Sequence, residues 1–168
     1  LFKAYGDVDA YPLCIKSKDT EEIIRTIKLL SGSFGGINLE DISAPRCFEI
    51  ETRLKQELDI PVFHDDQHGT AIVMTAALIN ALKLAGKRKE DIKVVINGAG
   101  AAGISIAKFF MATGVRDVTL CDRRGIVCQG EAWLNTAQEK VAEVTDICHK
   151  HGTLADAMKG ADVFVGVS

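Results

Sequence analysis

Short apolar runs alternate along the chain with longer runs at helical spacing. Asp19-Thr20-Glu21-Glu22 reads as a helix N-cap with an acid three residues on, and Ile23, Ile24, Ile27 and Leu30 follow on one face. Phe34 to Leu39 is the first strand candidate and stops at Glu40-Asp41. Pro45 opens a helix carried by Phe48, Ile50, Leu54 and Leu58. Ile60 to Phe63 is the second strand candidate, ending at Asp65-Asp66. Gly69 to Leu84 is apolar on nearly every side, the pattern of a buried helix. Past the charged connector Lys87 to Asp91, which reads as solvated, Ile92 to Ile96 is a strand. Ala101 to Thr113 is a helix with Gly114 as its C-cap, and Asp117 to Cys121 is a strand. Glu131 to Lys150 is helical without a sharp start, Leu154 to Lys159 is a short helix, and Asp162 to Val167 is the last strand. Helices alternating with strands that are apolar almost throughout predict an α/β fold, a parallel sheet covered on both faces.

Composition narrows the function classes. The 168 residues suffice for one domain, or for two small ones sharing a cleft, without a disulfide or metal to hold the core. Twenty Lys and Arg against 23 Asp and Glu leave a net charge of −3, so a basic footprint for nucleic acid is lacking. No apolar run approaches the ~20 residues of a membrane span, and no charged leader precedes an apolar stretch. Leu1 opens the chain without an initiator Met, and an apolar strand closes it. Both ends read as cut, so an internal piece of a longer polypeptide is expected. Five cysteines, an odd count without a CxxC pair, point to reduced thiols in a cytoplasmic compartment. Cys47 lies near acids, which raise a thiol pKa and argue against a nucleophile there.

Gly98-Ala99-Gly100-Ala101-Ala102-Gly103 is a GxGxxG between a strand and a helix. The first glycine permits the tight turn, the second lets backbone approach a pyrophosphate, and the third lets helix and strand pack closely. The helix start offers free N–H groups to phosphate. Asp122 follows Gly103 by 19 residues, at the end of the next strand, where an acid bonds an adenosine ribose hydroxyl. A Rossmann-like dinucleotide-binding domain is expected, with NAD or NADP as ligand. Asp122 would repel a 2′-phosphate, whereas Arg123 and Arg124 could embrace one.

Glu40-Asp41 and Asp65-Asp66 each sit just past a predicted strand, where open α/β sheets bind ligands. Converging carboxylates need a cation or protons, and all-oxygen donors favour Mg²⁺ or Mn²⁺. In extended chain adjacent residues face opposite ways, so only one of Asp65 and Asp66 should ligate, and Glu40 and Asp41 act together only if the chain bends. Helix capping is the competing role. His64 and His68, at a strand end and a helix start, do not share a face, which argues against zinc. Ser105, inside the Gly-rich helix, reads as a packing residue.

Together, Phe34 to Ile42 (FGGINLEDI), Ser43 to Glu49 (SAPRCFE), Val62 to Thr70 (VFHDDQHGT) and Val94 to Gly103 (VVINGAGAAG) resemble the bacterial-type malic enzymes, in the family's order and over nearly the whole chain. The resemblance implies oxidative decarboxylation of malate to pyruvate with NAD or NADP and Mg²⁺ or Mn²⁺. It implies metal ligation by Glu40, Asp41 and Asp66, and an Asp65 that orients the catalytic lysine. The backbone from Ala99 to Ala102 would meet the cofactor phosphates, Thr70 would lie near the cofactor, and a homo-oligomer is implied. Residues 1–66 would be part of the substrate and metal lobe, and residues 67–168 the NAD(P)-binding domain. The family's tyrosine and lysine lie before Leu1, Lys3 does not match the lysine's position, and the asparagines for substrate and cofactor follow Ser168. The chain by itself is therefore expected to be inactive. Two rival functions remain: a metal-free NAD(P)-dependent dehydrogenase of amino-acid dehydrogenase type, and a non-catalytic dinucleotide-binding module.

Overall fold

A computed structural model describes residues 1–145 and 150–168. The end of the helix expected over Glu131 to Lys150, with Cys148, lies outside the described residues.

The N-terminal part holds helices α1 (Phe2–Gly6), α2 (Thr20–Leu30) and α3 (Arg46–Glu57) with strands β1 (Ile37–Leu39) and β2 (Val62–His64). The two strands pair in parallel, Ile37 opposite Val62 and Leu39 opposite His64. Both are shorter than the runs read from sequence. Gly35 and Gly36 fall outside β1, where they lend no side chain to pack. Ile23, Ile24 and Ile27 of α2 meet Ile50 and Leu54 of α3, Leu39 and Val62 in one core. The expected cap of α2 is present: the side chain of Asp19 accepts the Glu22 N–H at 2.8 Å. Asp19→Ala should cost about 1 kcal/mol of stability, the usual worth of such a cap. Urea unfolding of the full-length protein checks this.

A π-helical turn (Asp65–Gly69) follows β2 and runs straight into α4 (Thr70–Ala85). The lobe boundary expected between Asp66 and Gln67 thus falls inside a turn. The second core surrounds a four-stranded sheet of β3 (Lys93–Asn97), β4 (Asp117–Asp122), β5 (Gly125–Ile126) and β6 (Val163–Gly166), in the order β5-β4-β3-β6. β4 and β6 flank β3 in parallel register. β5, which the apolar pattern did not reveal, is a two-residue antiparallel edge strand against Cys121 and Asp122. Helix α5 (Ala101–Ala112) buries Ile104, Ile106, Ala107 and Phe110, and Gly114 follows it at φ 106°. Helix α6 (Thr136–Thr145) starts five residues later than expected, because Asn135 caps it: Oδ1 of Asn135 accepts the N–H groups of Ala137 and Gln138. Helix α7 (Leu154–Met158) is held by a capping box between Thr153 and Asp156.

Three expectations need correction. Helix α4 is not buried: Ala71, Thr75 and Leu78 face inward, whereas Ile72, Val73, Ile79 and Leu84 are exposed. α4 packs chiefly against α5 and the π turn, so only one face is covered by described residues. The continuous helical run Asp65–Ala85, 21 residues, is also long and apolar enough to cross a membrane by length and composition, contrary to the reading of the sequence. Its first turn carries Asp65 and Asp66. Lys87 is more than a solvated connector residue. It pairs with Asp162, whose other oxygen accepts the Lys93 N–H at 2.8 Å and so ties the connector to the start of β3.

Candidate functional site

The pairing of Leu39 with His64 puts the next residues, Glu40 and Asp65, at one sheet edge. Glu40, Asp41, Asp65 and Asp66 are all exposed there. The chain does bend at the first pair: Asp41 takes a left-handed φ of 56°. The opposite-faces reading of Asp65 and Asp66 is corrected, because they occupy the π turn instead of extended chain. Successive residues of a helical turn diverge far less than those of a strand. Wide turns of this type recur at functional sites. The Asp65 carboxylate folds back over Gly69, where a Cβ would run into its Oδ1. Asn38 Nδ2 donates to Glu40 Oε1 at 2.7 Å.

Among the described residues none of these acids makes an ion pair, and no group of three His, Cys, Asp or Glu side chains is drawn close enough to hold a metal ion. The donor chemistry fits a hard divalent cation: exposed carboxylate oxygens at adjoining strand ends, without a neutralising lysine or arginine. Behind them His64 is fully buried, and neither of its ring nitrogens, nor Nε2 of Gln67, has a hydrogen-bond partner among the described residues. Buried polar atoms of this kind are rare unless a polar group completes them.

His68 faces away from His64, as expected. Its Nε2 lies 2.7 Å from Oε1 of Glu51, and its ring sits against Phe63 at 5.5 Å between centroids. Glu51, 7% exposed at its side chain, also takes Lys55 Nζ at 2.8 Å. It therefore anchors α3 to the turn that carries Asp65 and Asp66. Sequence reading missed Glu51, although its spacing from Cys47, Ile50 and Leu54 puts it on the buried face of α3. The Cys47 thiol is pushed up to about 11, mainly by burial and further by the charges of Glu51 and Asp66, so it remains protonated and a poor nucleophile.

The Gly-rich turn lies at the C-terminal end of β3. Gly98, at φ 122°, donates its N–H to the Cys121 carbonyl at 2.8 Å, and a Cβ there would lie 2.8 Å from the Val167 carbonyl carbon. A Cβ on Gly103 would run into the Gly98 carbonyl oxygen, so only glycine lets α5 sit this close to β3. Gly100 differs: nothing lies within 4 Å of its Cβ position, and no side chain caps the α5 N-terminus. The N–H groups that open α5 thus have no side-chain cap among the described residues, the condition under which a helix start binds phosphate. Thr70 opens α4 directly after the π turn, and that turn packs against α5. The turn that carries Asp65 and Asp66 is thus packed on the helix that the Gly-rich loop opens.

Asp122 closes β4 as expected, and the structure adds a partner that the sequence reading missed. Gln138, 5% exposed, donates through Nε2 to Asp122 Oδ2 at 2.9 Å and to the Ala99 carbonyl at 3.3 Å. Its Oε1 accepts the Asn135 N–H at 3.1 Å. Asn135 and Gln138 have the spacing of a capping box, which was the available signal. Arg123 and Arg124 are exposed.

Comparison with known proteins agrees with this geometry. The profile described as "Malic enzyme, NAD binding domain" matches residues 67–168, and "Malic enzyme, N-terminal domain" matches residues 6–55. The NAD-dependent malic enzyme of Geobacillus stearothermophilus is 56% identical over the whole of this chain, which covers 35% of that protein. The bifunctional malic/malolactic enzyme of Bacillus subtilis is 54% identical, again over the whole chain and 41% of its own length. The chain therefore spans from about a fifth to about two fifths of the length of the curated relatives it matches. The crystal structure of the NAD-dependent malic enzyme of Thermotoga maritima superposes with a TM-score of 0.95 at 51% identity, over 99% of this chain and 45% of that one. A Gly-rich turn, an acid-lined sheet edge, and likeness over the full length in both sequence and structure place this chain in the malic enzyme family.

Proposed function

We propose that this chain serves the oxidative decarboxylation of malate to pyruvate and carbon dioxide, with NAD or NADP as hydride acceptor and Mg²⁺ or Mn²⁺ as the bound cation, in a cytoplasmic homo-oligomer. The observation that carries this reading is the β1–β2 register, which sets Glu40-Asp41 beside Asp65-Asp66, the second pair lying on a turn that packs against α5. Residues 1–66 supply part of the substrate and metal lobe, and residues 67–168 supply the NAD(P)-binding domain.

Glu40, Asp41 and Asp66 would hold the cation, and Asp65 would orient a lysine from elsewhere in the full protein. When bound, the cation supplies Lewis-acid polarisation of the substrate oxygen at C2. Amides from Ala99 to Ala102 bind the cofactor phosphates, and Gly98 and Gly103 fix the turn that aims them. Gly100 leaves the space those phosphates need, and Thr70 borders the cofactor. Asp122 accepts from the adenosine ribose, and Gln138 holds its carboxylate in place. A fixed carboxylate at that point disfavours a 2′-phosphate and so weighs toward NAD, against the exposed Arg123 and Arg124 beside it. Asp122→Ser should therefore shift the ratio of kcat/KM for NAD over NADP toward NADP by about tenfold, ~1.4 kcal/mol. Gln138→Leu should move it in the same direction by less.

The deciding experiment is turnover of malate by the full-length protein with Mn²⁺. Pyruvate, carbon dioxide and reduced cofactor should appear in equal amounts, and EDTA should stop the reaction. EDTA-insensitive oxidation would favour the metal-free dehydrogenase. Lactate released without net cofactor reduction would point to a malolactic reaction.

A further inference from the structure

The connector between β5 and α6 gathers side chains that malate oxidation does not use. Cys128 is fully buried two residues past β5, and its Sγ lies 3.5 Å from Nε2 of His151. Nδ1 of the same ring lies 3.0 Å from Oε1 of Glu131. The second oxygen of Glu131 accepts the Trp133 Nε1–H at 2.9 Å. Backbone fixes the neighbouring segments against each other: the Ile126 N–H donates to the Gly152 carbonyl at 2.9 Å. Gly125 leaves no room for a Cβ against that same carbonyl.

A nucleophile beside a base, with a third group fixing the base, is the pattern of an activated nucleophile. With Glu131 on Nδ1, Nε2 faces the thiol, which also reaches the Gln129 carbonyl at 3.6 Å, and can take its proton, and the carboxylate stabilises the imidazolium that results. Cys47 and Cys121 sit in a different setting, where burial pushes each thiol up to about 11. Burial of Cys128 excludes bulky substrates, whereas the His151 side chain is 62% exposed. A small reagent that reaches the ring meets the thiol behind it.

We propose that Cys128, with His151 as its base and Glu131 holding that base, is a modification site for small hydroperoxides. The thiolate attacks one peroxide oxygen, an S–O bond forms and the O–O bond breaks. Sulfur is oxidised by two electrons to the sulfenic acid, and the peroxide is reduced to water. The proton on His151 goes to the departing oxygen. No step involves malate or the dinucleotide.

The test uses the reduced full-length protein, hydrogen peroxide as oxidant, dimedone as the sulfenic-acid trap and peptide mass spectrometry as readout. Cys128 should take the label about tenfold faster than Cys14, Cys47 or Cys121, because it has an imidazole against its sulfur. His151→Gln should slow that labelling about tenfold, and Glu131→Gln should slow it by a smaller factor. Cys128→Ser should remove the label and leave malate turnover unchanged. Labelling of Cys128 no faster than of Cys47, or at the same rate in folded His151→Gln, would overturn the assignment. Stoichiometric zinc in the purified protein, lost in Cys128→Ser, would overturn it too, because the pair would then be metal ligands. If His151→Gln does not fold, Glu131→Gln decides, since its side chain is already 32% exposed.

Discussion

Asp66→Asn in the full-length protein should abolish metal-dependent decarboxylation and weaken Mn²⁺ binding together. The substitution keeps shape and removes charge, and the residue is exposed at the sheet edge, so folding should be spared. An amide oxygen is a weaker ligand to a hard cation than a carboxylate, and the proposed set of Glu40, Asp41 and Asp66 would hold the cation through only three carboxylates. Lewis-acid stabilisation supplies several kcal/mol, so a loss of at least ~100-fold in kcat/KM is expected. A Mn²⁺ titration read by electron paramagnetic resonance should shift in parallel. Asp65→Asn makes the contrast: its carboxylate folds over Gly69 and is assigned to orienting a lysine. That variant should lose turnover while keeping most of its Mn²⁺ affinity. Unchanged turnover and unchanged Mn²⁺ affinity in Asp66→Asn would remove this residue from the ligand set.

Sequence showed most of what depends on local spacing. The Asp19 cap, the GxGxxG after a strand, and Asp122 at the next strand end all rest on interactions within one supersecondary unit, and each is where the pattern put it. Tertiary pairing was less legible. The adjacency of β1 and β2 could only be supposed, because nothing in either run names its partner; the register is set when the Ile50–Leu54 face of α3 packs over both. The π turn was read as extended chain because Asp65 and Asp66 have no periodicity of their own, and its widening depends on Gly69 accepting a folded-back carboxylate. Helix α4 was read as buried because apolar residues occur all round it, yet periodicity cannot say how many sides find a neighbour. Gln138 was hidden for a different reason. Polar residues at helix starts usually cap, and it does cap; its second role needs Ala99 and Asp122, far apart in sequence, to meet beneath it.

Gly103→Ala should cost both stability and dinucleotide binding, because its Cβ position is already occupied by the Gly98 carbonyl oxygen. That atom is backbone, held by the Gly98 N–H bond to Cys121 and boxed in by Val167, so it cannot swing aside as a side chain would. Either α5 lifts from β3 or the turn deforms. Lifting α5 loosens Ile104, Ile106 and Phe110 in the main core, and overpacking of this kind costs ~1–3 kcal/mol, with backbone clashes at the upper end. Deforming the turn misaims the amides that would meet the phosphates, and the N-terminus of α5 loses its fit to an anion. Gly100→Ala separates the two effects. Its φ of −94° is open to alanine and its Cβ meets nothing, so only the weaker capping by alanine is felt and unfolding should change by no more than about 1 kcal/mol. Its Cβ would instead intrude where the pyrophosphate must approach backbone, and NAD affinity should fall about tenfold. Urea unfolding and NAD titration of the same two full-length variants should therefore diverge, with Gly103→Ala losing both and Gly100→Ala losing chiefly binding. Wild-type affinity in Gly100→Ala would mean that the cofactor phosphates do not lie against this turn.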